Sequence, residues 1–250
     1  MTMLPPTPSL LHGVLATARL ARKRLWRGRS LWVTVFLVAL PIVIALLQLA
    51  LPIAPGMRYQ ISVETGLRFL CTIAAAIHLA PAIGEEVEGR TYAYLWSRPL
   101  PRATLLLGKL VGVLPFLLAA STVSLGVSWL ATAQGDPALL PALGRSLLGA
   151  AAGCTAGACF AAGVGSLFPR HPLVFAVGYL LAAEQFLPFV PNAAYLSLLF
   201  HARAVAGQPP TGAPSESLGG GLVGLLVLGG IWLVGGLLRV TYAEYGRADR

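Results

Sequence analysis

Residues 31–51 read LWVTVFLVALPIVIALLQLAL, an apolar run without one charged side chain. A helix crossing the hydrocarbon of a bilayer needs about 20 mostly apolar residues, so this stretch is long enough to span. Five more runs of the same kind follow at 67–83, 104–132, 142–168, 173–190 and 218–238. They are continuous rather than alternating, which selects helices over the strands of a closed barrel, the only other structure that satisfies its backbone in lipid. The predicted fold is an all-α membrane protein with six transmembrane helices in a single domain over residues 1–250. The second run is short and starts beside Arg68, whose stem can snorkel outward. The fifth is interrupted by Glu184 and Pro188.

Composition points the same way. Hydrophobic residues make up 56% of the chain and charged residues 11%, with a mean hydropathy of +0.76. Soluble chains carry about 25% charged residues, and so few charges cannot cover a water-facing surface. This excludes a soluble enzyme, a disordered tail or a disulfide-stapled secreted domain as the reading of the whole chain. Cys71, Cys154 and Cys159 all lie inside apolar runs and form no C-x-x-C pair, so they read as small hydrophobes rather than metal or redox groups. The first run is longer than the core of a signal peptide, and no clear A-x-A site follows it, so it is expected to remain as an anchor.

The net charge of +9 would suit a nucleic-acid partner if the bases formed one patch, but they cluster in short stretches between apolar runs. That is the arrangement that orients a membrane protein. Fourteen of the eighteen basic residues fall on one side of the six spans, which predicts a multi-pass protein of the inner membrane with both termini cytoplasmic. Ahead of the first span, Leu11, Val14, Leu15, Ala18, Ala21 and Leu25 recur at helical spacing, with Arg19, Lys23, Arg24 and Arg27 on the opposite arc. This predicts an interfacial helix over residues 9–29, lying along the inner leaflet with Trp26 and Trp32 at headgroup depth. The alternative is a basic flank that only sets topology.

Between spans two and three the chain reads GEEVEGRTYAYLWSRPLPR over residues 84–102, closing on Gly108-Lys109. Three of the nine acidic residues are packed into it, followed by three aromatics and paired prolines. Carboxylates at the positive end of a short helix favour its formation, and Pro99 would stop it. The segment resembles the cytoplasmic signature of ABC-transporter permeases of the type-two exporter class: an acid-rich stretch, then Gly, Arg or Thr, an aliphatic stretch, Ser-x-Pro, Arg and a later Gly-Lys. Glu85, Glu86, Glu88, Gly89, Arg90, Thr91, Leu95, Ser97, Pro99, Arg102, Gly108 and Lys109 fill these positions. The aromatics Tyr92, Tyr94 and Trp96 depart from the plainer aliphatics of many relatives.

The resemblance implies a coupling helix over roughly residues 85–96, with Glu85, Glu86, Glu88, Arg90, Tyr92, Tyr94 and Trp96 contacting an ATPase. It implies a permease that pairs with a second copy or a related permease and with two copies of an ATP-binding subunit. The chain itself carries no G-x-x-x-x-G-K-[ST] loop, so ATP and Mg are expected in the partner; no cofactor, metal or catalytic residue is expected here. The alternative function is a non-transporting scaffold that relays ATP-driven motion to an extracytoplasmic protein or assembly complex. An intramembrane enzyme built on His78, His201 and Glu184 is the weakest reading, because they fall in no recognised motif.

Within the spans, Gly149, Gly153, Gly157, Ala161 and Gly165 recur every four residues on the fourth helix. Side-chain-free positions let membrane helices approach closely, and packing inside the chain is the simpler reading over a subunit interface. The sixth span has a weaker set, Gly220, Gly224, Gly229-Gly230 and Gly235-Gly236. Ionisable groups at depth are expensive and tend to be functional, which makes His78 and Glu184 candidates for a substrate path. The other reading of Glu184 is an outer-interface ion pair with Arg145 or Arg203. Residues 193–200 are apolar but too short to cross, and predict a short outer-leaflet or re-entrant helix.

Overall fold

The computed structural model describes residues 9–28, 30–88, 101–134, 136–190, 192–208 and 215–242. Regular structure among them is entirely helical, and six helices are long and apolar enough to cross a membrane: Ser30–Ala50, Pro55–Leu79, Ala103–Ala133, Pro137–Leu167, Pro172–Phe189 and Leu218–Tyr242. The chain is a multi-pass membrane protein. Its elements are α1 (Leu10–Arg27), α2 (Ser30–Leu47), α3 (Pro55–Gly66), α4 (Ala75–Leu79), α5 (Pro81–Glu88), α6 (Ala103–Ala133), α7 (Leu140–Leu167), α8 (Pro172–Phe186), α9 (Leu198–Val205) and α10 (Leu218–Tyr242).

The second span departs most from expectation. It starts at Pro55 rather than 67, and α3 runs without interruption into a π-helical stretch, Leu67–Ala74, and then α4. Hydropathy conceals its first half because Arg58, Glu64 and Arg68 lie there, yet these charges find partners. Arg68 donates to Glu64 one turn back at 3.1 Å, Arg203 of α9 pairs with the same carboxylate, and Arg58 donates to the Leu51 carbonyl at 3.0 Å. The span also ends before residue 83, at a turn on Ala80, and the chain restarts as α5.

The fourth span is the centre of the bundle: 72% of its most apolar window is buried, against 22% for the first and the last spans. Its glycines are the reason it can be surrounded. A Cβ at Gly149 would lie 2.8 Å from the Ala202 carbonyl of α9, and one at Gly153 would lie 3.0 Å from Ala202 and 3.3 Å from Cys71 Sγ. Cβ atoms at Gly157 and Gly165 would strike the carbonyls of Cys71 and Ala80 on the second span. Ala161, between them, is fully buried. The four-residue ladder is therefore an intramolecular seam. The last span uses one glycine of each pair in the same way: Gly229 packs on Ala156 and Gly236 on Gly163, whereas Gly230 and Gly235 face open space.

α1 forms over nearly the expected range, with Ser9 accepting from His12 N at 3.4 Å, but it is not merely laid on lipid. Val14, Ala18 and Leu25 are buried. Cβ atoms at Gly108 and Gly112 of α6 would run into Thr17, the Val14 and Ala18 carbonyls and Ala21, so the two helices touch backbone to backbone. Leu11, Leu15, Leu20 and Trp26 of α1 stay exposed beside this seam.

Replacing Gly157 by Leu drives a side chain into the Cys71 carbonyl, which cannot rotate away. Its cost should reach or exceed the upper end of the about 1–3 kcal/mol typical of overpacking. Gly230→Leu, with nothing around it, should stay within about 0.5 kcal/mol of wild type. Unfolding of the purified chain in detergent measures both; equal stability of the two variants would contradict the packing.

Candidate functional site

Two polar clusters lie in the bundle, one at each end. The first gathers α1, α5 and α6. Glu86 of α5 is only 7% exposed. Its Oε1 lies 3.1 Å from Lys109 Nζ on α6 and 3.4 Å from Arg24 Nη1 on α1. Lys109 also donates to the Ala82 carbonyl, one turn before Glu86. A buried carboxylate costs several kcal/mol unless paired, and here one anion collects two cations from two other helices. At the same end, Arg102 Nη1 lies 3.4 Å from the Thr241 carbonyl, joining the start of the third span to the end of the sixth. Close by, His78 Nε2 is 2.6 Å from Thr34 Oγ1 of the first span, with its ring edge-on to Phe116.

The second cluster surrounds α9, which forms at Leu198–Val205, a few residues later than the apolar pattern suggested. Every one of its residues is buried except Arg203, which is half-buried, so it is a short helix packed between spans four and six. Glu184 is 1% exposed and caps it: the carboxylate accepts from Leu198 N and Leu199 N at 3.0 Å and from the Ser197 hydroxyl at 2.6 Å. Ser197 in turn accepts from Phe200 N at 3.0 Å. The first turn of a helix leaves its N–H groups without partners and carries a partial positive charge, so an acceptor anion there is matched twice over. Glu184 thus pairs with neither Arg145 nor Arg203.

Arg203 reaches Glu64 on α3. Burial works against the Arg203 charge, and the Glu64 carboxylate opposes that effect. His201 Nδ1 lies 2.7 Å from Glu216 Oε2 and Nε2 lies 3.0 Å from the Tyr195 carbonyl. Its ring occupies the space a Cβ would take at Gly224. Elsewhere on the second and fourth spans, Tyr59 Oη meets Ser146 Oγ at 2.5 Å, and all three cysteines are buried as free thiols.

The expected coupling residues are only partly in view. α5 contains Glu85, Glu86 and Glu88, but of these only the Glu86 side chain is described; Gly89, Arg90, Tyr92, Tyr94, Trp96, Ser97 and Pro99 lie outside the described residues. Lys109 and Arg24 engage the Glu86 carboxylate inside the fold. His78 and Glu184, each a candidate from sequence for lining a substrate path, sit at opposite ends of the bundle in separate hydrogen-bonded settings. Sequence reasoning missed the Glu64–Arg203 and His201–Glu216 pairs, which carried no spacing signal. The α1 seam did carry one, in Gly108-x-x-x-Gly112.

No protein-family model matches the chain, and comparison with curated proteins finds no relative.

Glu184→Ala strands two backbone N–H groups and one hydroxyl in an apolar setting, and should cost on the order of 3 kcal/mol. Glu184→Gln keeps an acceptor and should cost less. Unfolding in detergent reads both, and wild-type stability in Glu184→Ala would remove the capping role.

Proposed function

We propose that the chain is the membrane-spanning permease subunit of an ATP-driven exporter, working beside a second copy or a related permease and two copies of a separate ATP-binding subunit. In this reading the α1 end faces the cytoplasm of a cell with the protein in its inner membrane, as the fourteen-to-four distribution of basic residues favours. ATP and Mg belong to the partner, and this chain performs no hydrolysis.

One observation supports the reading above the others. The acid-bearing helix α5 hangs from the second span and is clamped by Glu86 to α6 and α1. A displacement applied to the segment after α5 would therefore reach three helices through one carboxylate. Buried ion pairs transmit such a displacement well, because breaking one costs about 3–5 kcal/mol. Within the proposal, Glu86 acts as the inner end of the lever. Glu85, Glu88 and Arg90 supply charge complementarity toward the ATPase, which governs encounter and register. Tyr92, Tyr94 and Trp96 supply the aromatic anchors that dominate interface energetics.

The test is retention of a partner. Tagged chain isolated from its own membrane in mild detergent should carry a Mg-dependent ATPase. The triple variant Tyr92→Ala, Tyr94→Ala, Trp96→Ala should insert normally but retain that ATPase roughly ten-fold less or worse. A wild-type preparation without ATPase activity, or a triple variant that retains it fully, would contradict the proposal.

A further inference from the structure

The second span carries charge where a bilayer is least able to receive it. Its 25 residues, Pro55–Leu79, have their midpoint at Leu67, beside Arg68 and within one turn of Glu64. Packing sets the same depth. A Cβ at Gly66 would lie 3.8 Å from Pro41, near the middle of the charge-free first span, and Cys71 lies against Gly153 and Gly157, near the middle of the fourth. Yet the Glu64 side chain is 47% exposed and that of Arg68 36%. We propose that this face of the second span lines a water-filled cleft, open at the α9 end of the bundle and closed just past Arg68, which admits water and small hydrophilic solutes to the middle of the membrane.

Lipid is a poor neighbour for this face. An ionised side chain near the centre of a bilayer is costly, and turns to the bundle interior or to a water-filled cavity. An arginine can escape by running its stem toward the headgroups, but Arg68 donates to Glu64 at 3.1 Å, and the short carboxylate side chain has no such reach. Arg203 pairs with the same carboxylate from the packed side and holds it at that depth. A second copy of the chain is a poor cover too. Glu64 already serves two guanidinium groups, so a two-fold contact here would bring two cations and one anion from each copy into one dry interface. Water solvates that excess without a partner.

Polar side chains mark the course of the cleft. Gln60, Glu64 and Arg68 recur every four residues along the span, with Ile61 and Thr65 beside them, and all five are exposed or half-buried. At the mouth, Gln60 also borders a cavity of about 270 Å³ that Tyr59, Arg145 and Gln208 line with it. The course stops beyond Arg68, because Leu70, Cys71 and Thr72 are buried. The inference needs only that the second span crosses the membrane, and stands whether or not the chain works with an ATPase.

The experiment labels single cysteines added to the full chain, in open membrane fragments, with a small water-soluble thiosulfonate that does not enter lipid. Mass spectrometry of the peptides reads each site, and the buried native cysteines give the background. Thr65→Cys should react about ten-fold or more faster than Val43→Cys on the first span and Ile231→Cys on the last, because the reactive thiolate forms in water. Those two sites lie at similar depth on exposed apolar faces. Ile61→Cys, four residues from Thr65 on the same face, should match Thr65→Cys, and Gln60→Cys at the mouth should react faster still. Thr72→Cys, one turn past Arg68, should be as slow as the apolar-face sites. If Thr65→Cys and Ile61→Cys react no faster than Val43→Cys, whether they face lipid or cross-link to a second copy, the cleft is overturned. Equal reaction at Thr72→Cys and Thr65→Cys would overturn its closed floor.

Discussion

A charge inside a helix bundle surrounded by hydrocarbon survives only beside a partner, and in this chain those partners come from other helices. Glu64 on α3 takes Arg203 from α9, and Glu86 on α5 takes Lys109 from α6 and Arg24 from α1. Glu184 on α8 takes the first-turn N–H groups of α9. The two buried anions, Glu86 and Glu184, therefore fix where three and two elements meet. The Glu64 clamp is incompletely satisfied, since the Nε–H groups of Arg68 and Arg203 find no acceptor among the described residues. The Glu86 clamp is compact and joins the elements that the functional proposal needs to move together.

Between these clamps the helices are held by closeness rather than by bulk. Lipid tails are as apolar as leucine, so a membrane helix gains from a neighbour mainly by van der Waals contact at short range. The fourth span supplies that with Gly149, Gly153, Gly157 and Gly165 toward α9 and the second span, and with Gly163 toward the last. Large side chains fill what remains: Phe160 lies between Tyr179 at 4.9 Å and Trp232 at 5.0 Å. The short buried α9 depends on both devices, because Gly149 and Gly221 admit its backbone while Glu184 satisfies its first turn.

Six spans were legible because a continuous apolar run has one meaning in lipid, and the glycine ladder was legible because its spacing matches a helix face. The first half of the second span was not, since a hydropathy window counts Arg58, Glu64 and Arg68 as three penalties and cannot see that Glu64 meets Arg203 far along the chain. Glu184 was recognised as costly at depth, but its partners are backbone N–H groups, which no side-chain pattern reveals. Of the candidate coupling residues, the acid-rich composition and Gly108-Lys109 both stood out in the sequence. Their direct link, Glu86 to Lys109 across two helices, and the close seat of α1 on Gly108 required the fold.

The account turns on the Glu86 clamp, and a double-mutant cycle measures it. Unfolding free energies of wild type, Glu86→Gln, Lys109→Met and the double variant give the coupling between the two side chains. Lys109→Met takes the nearer cation from a buried carboxylate, and should be destabilised by about 3–5 kcal/mol. The double variant should lose clearly less than the sum of the two single losses. Additive losses, with no coupling between the two positions, would show that Glu86 and Lys109 do not hold α5 to α6, and would contradict the account.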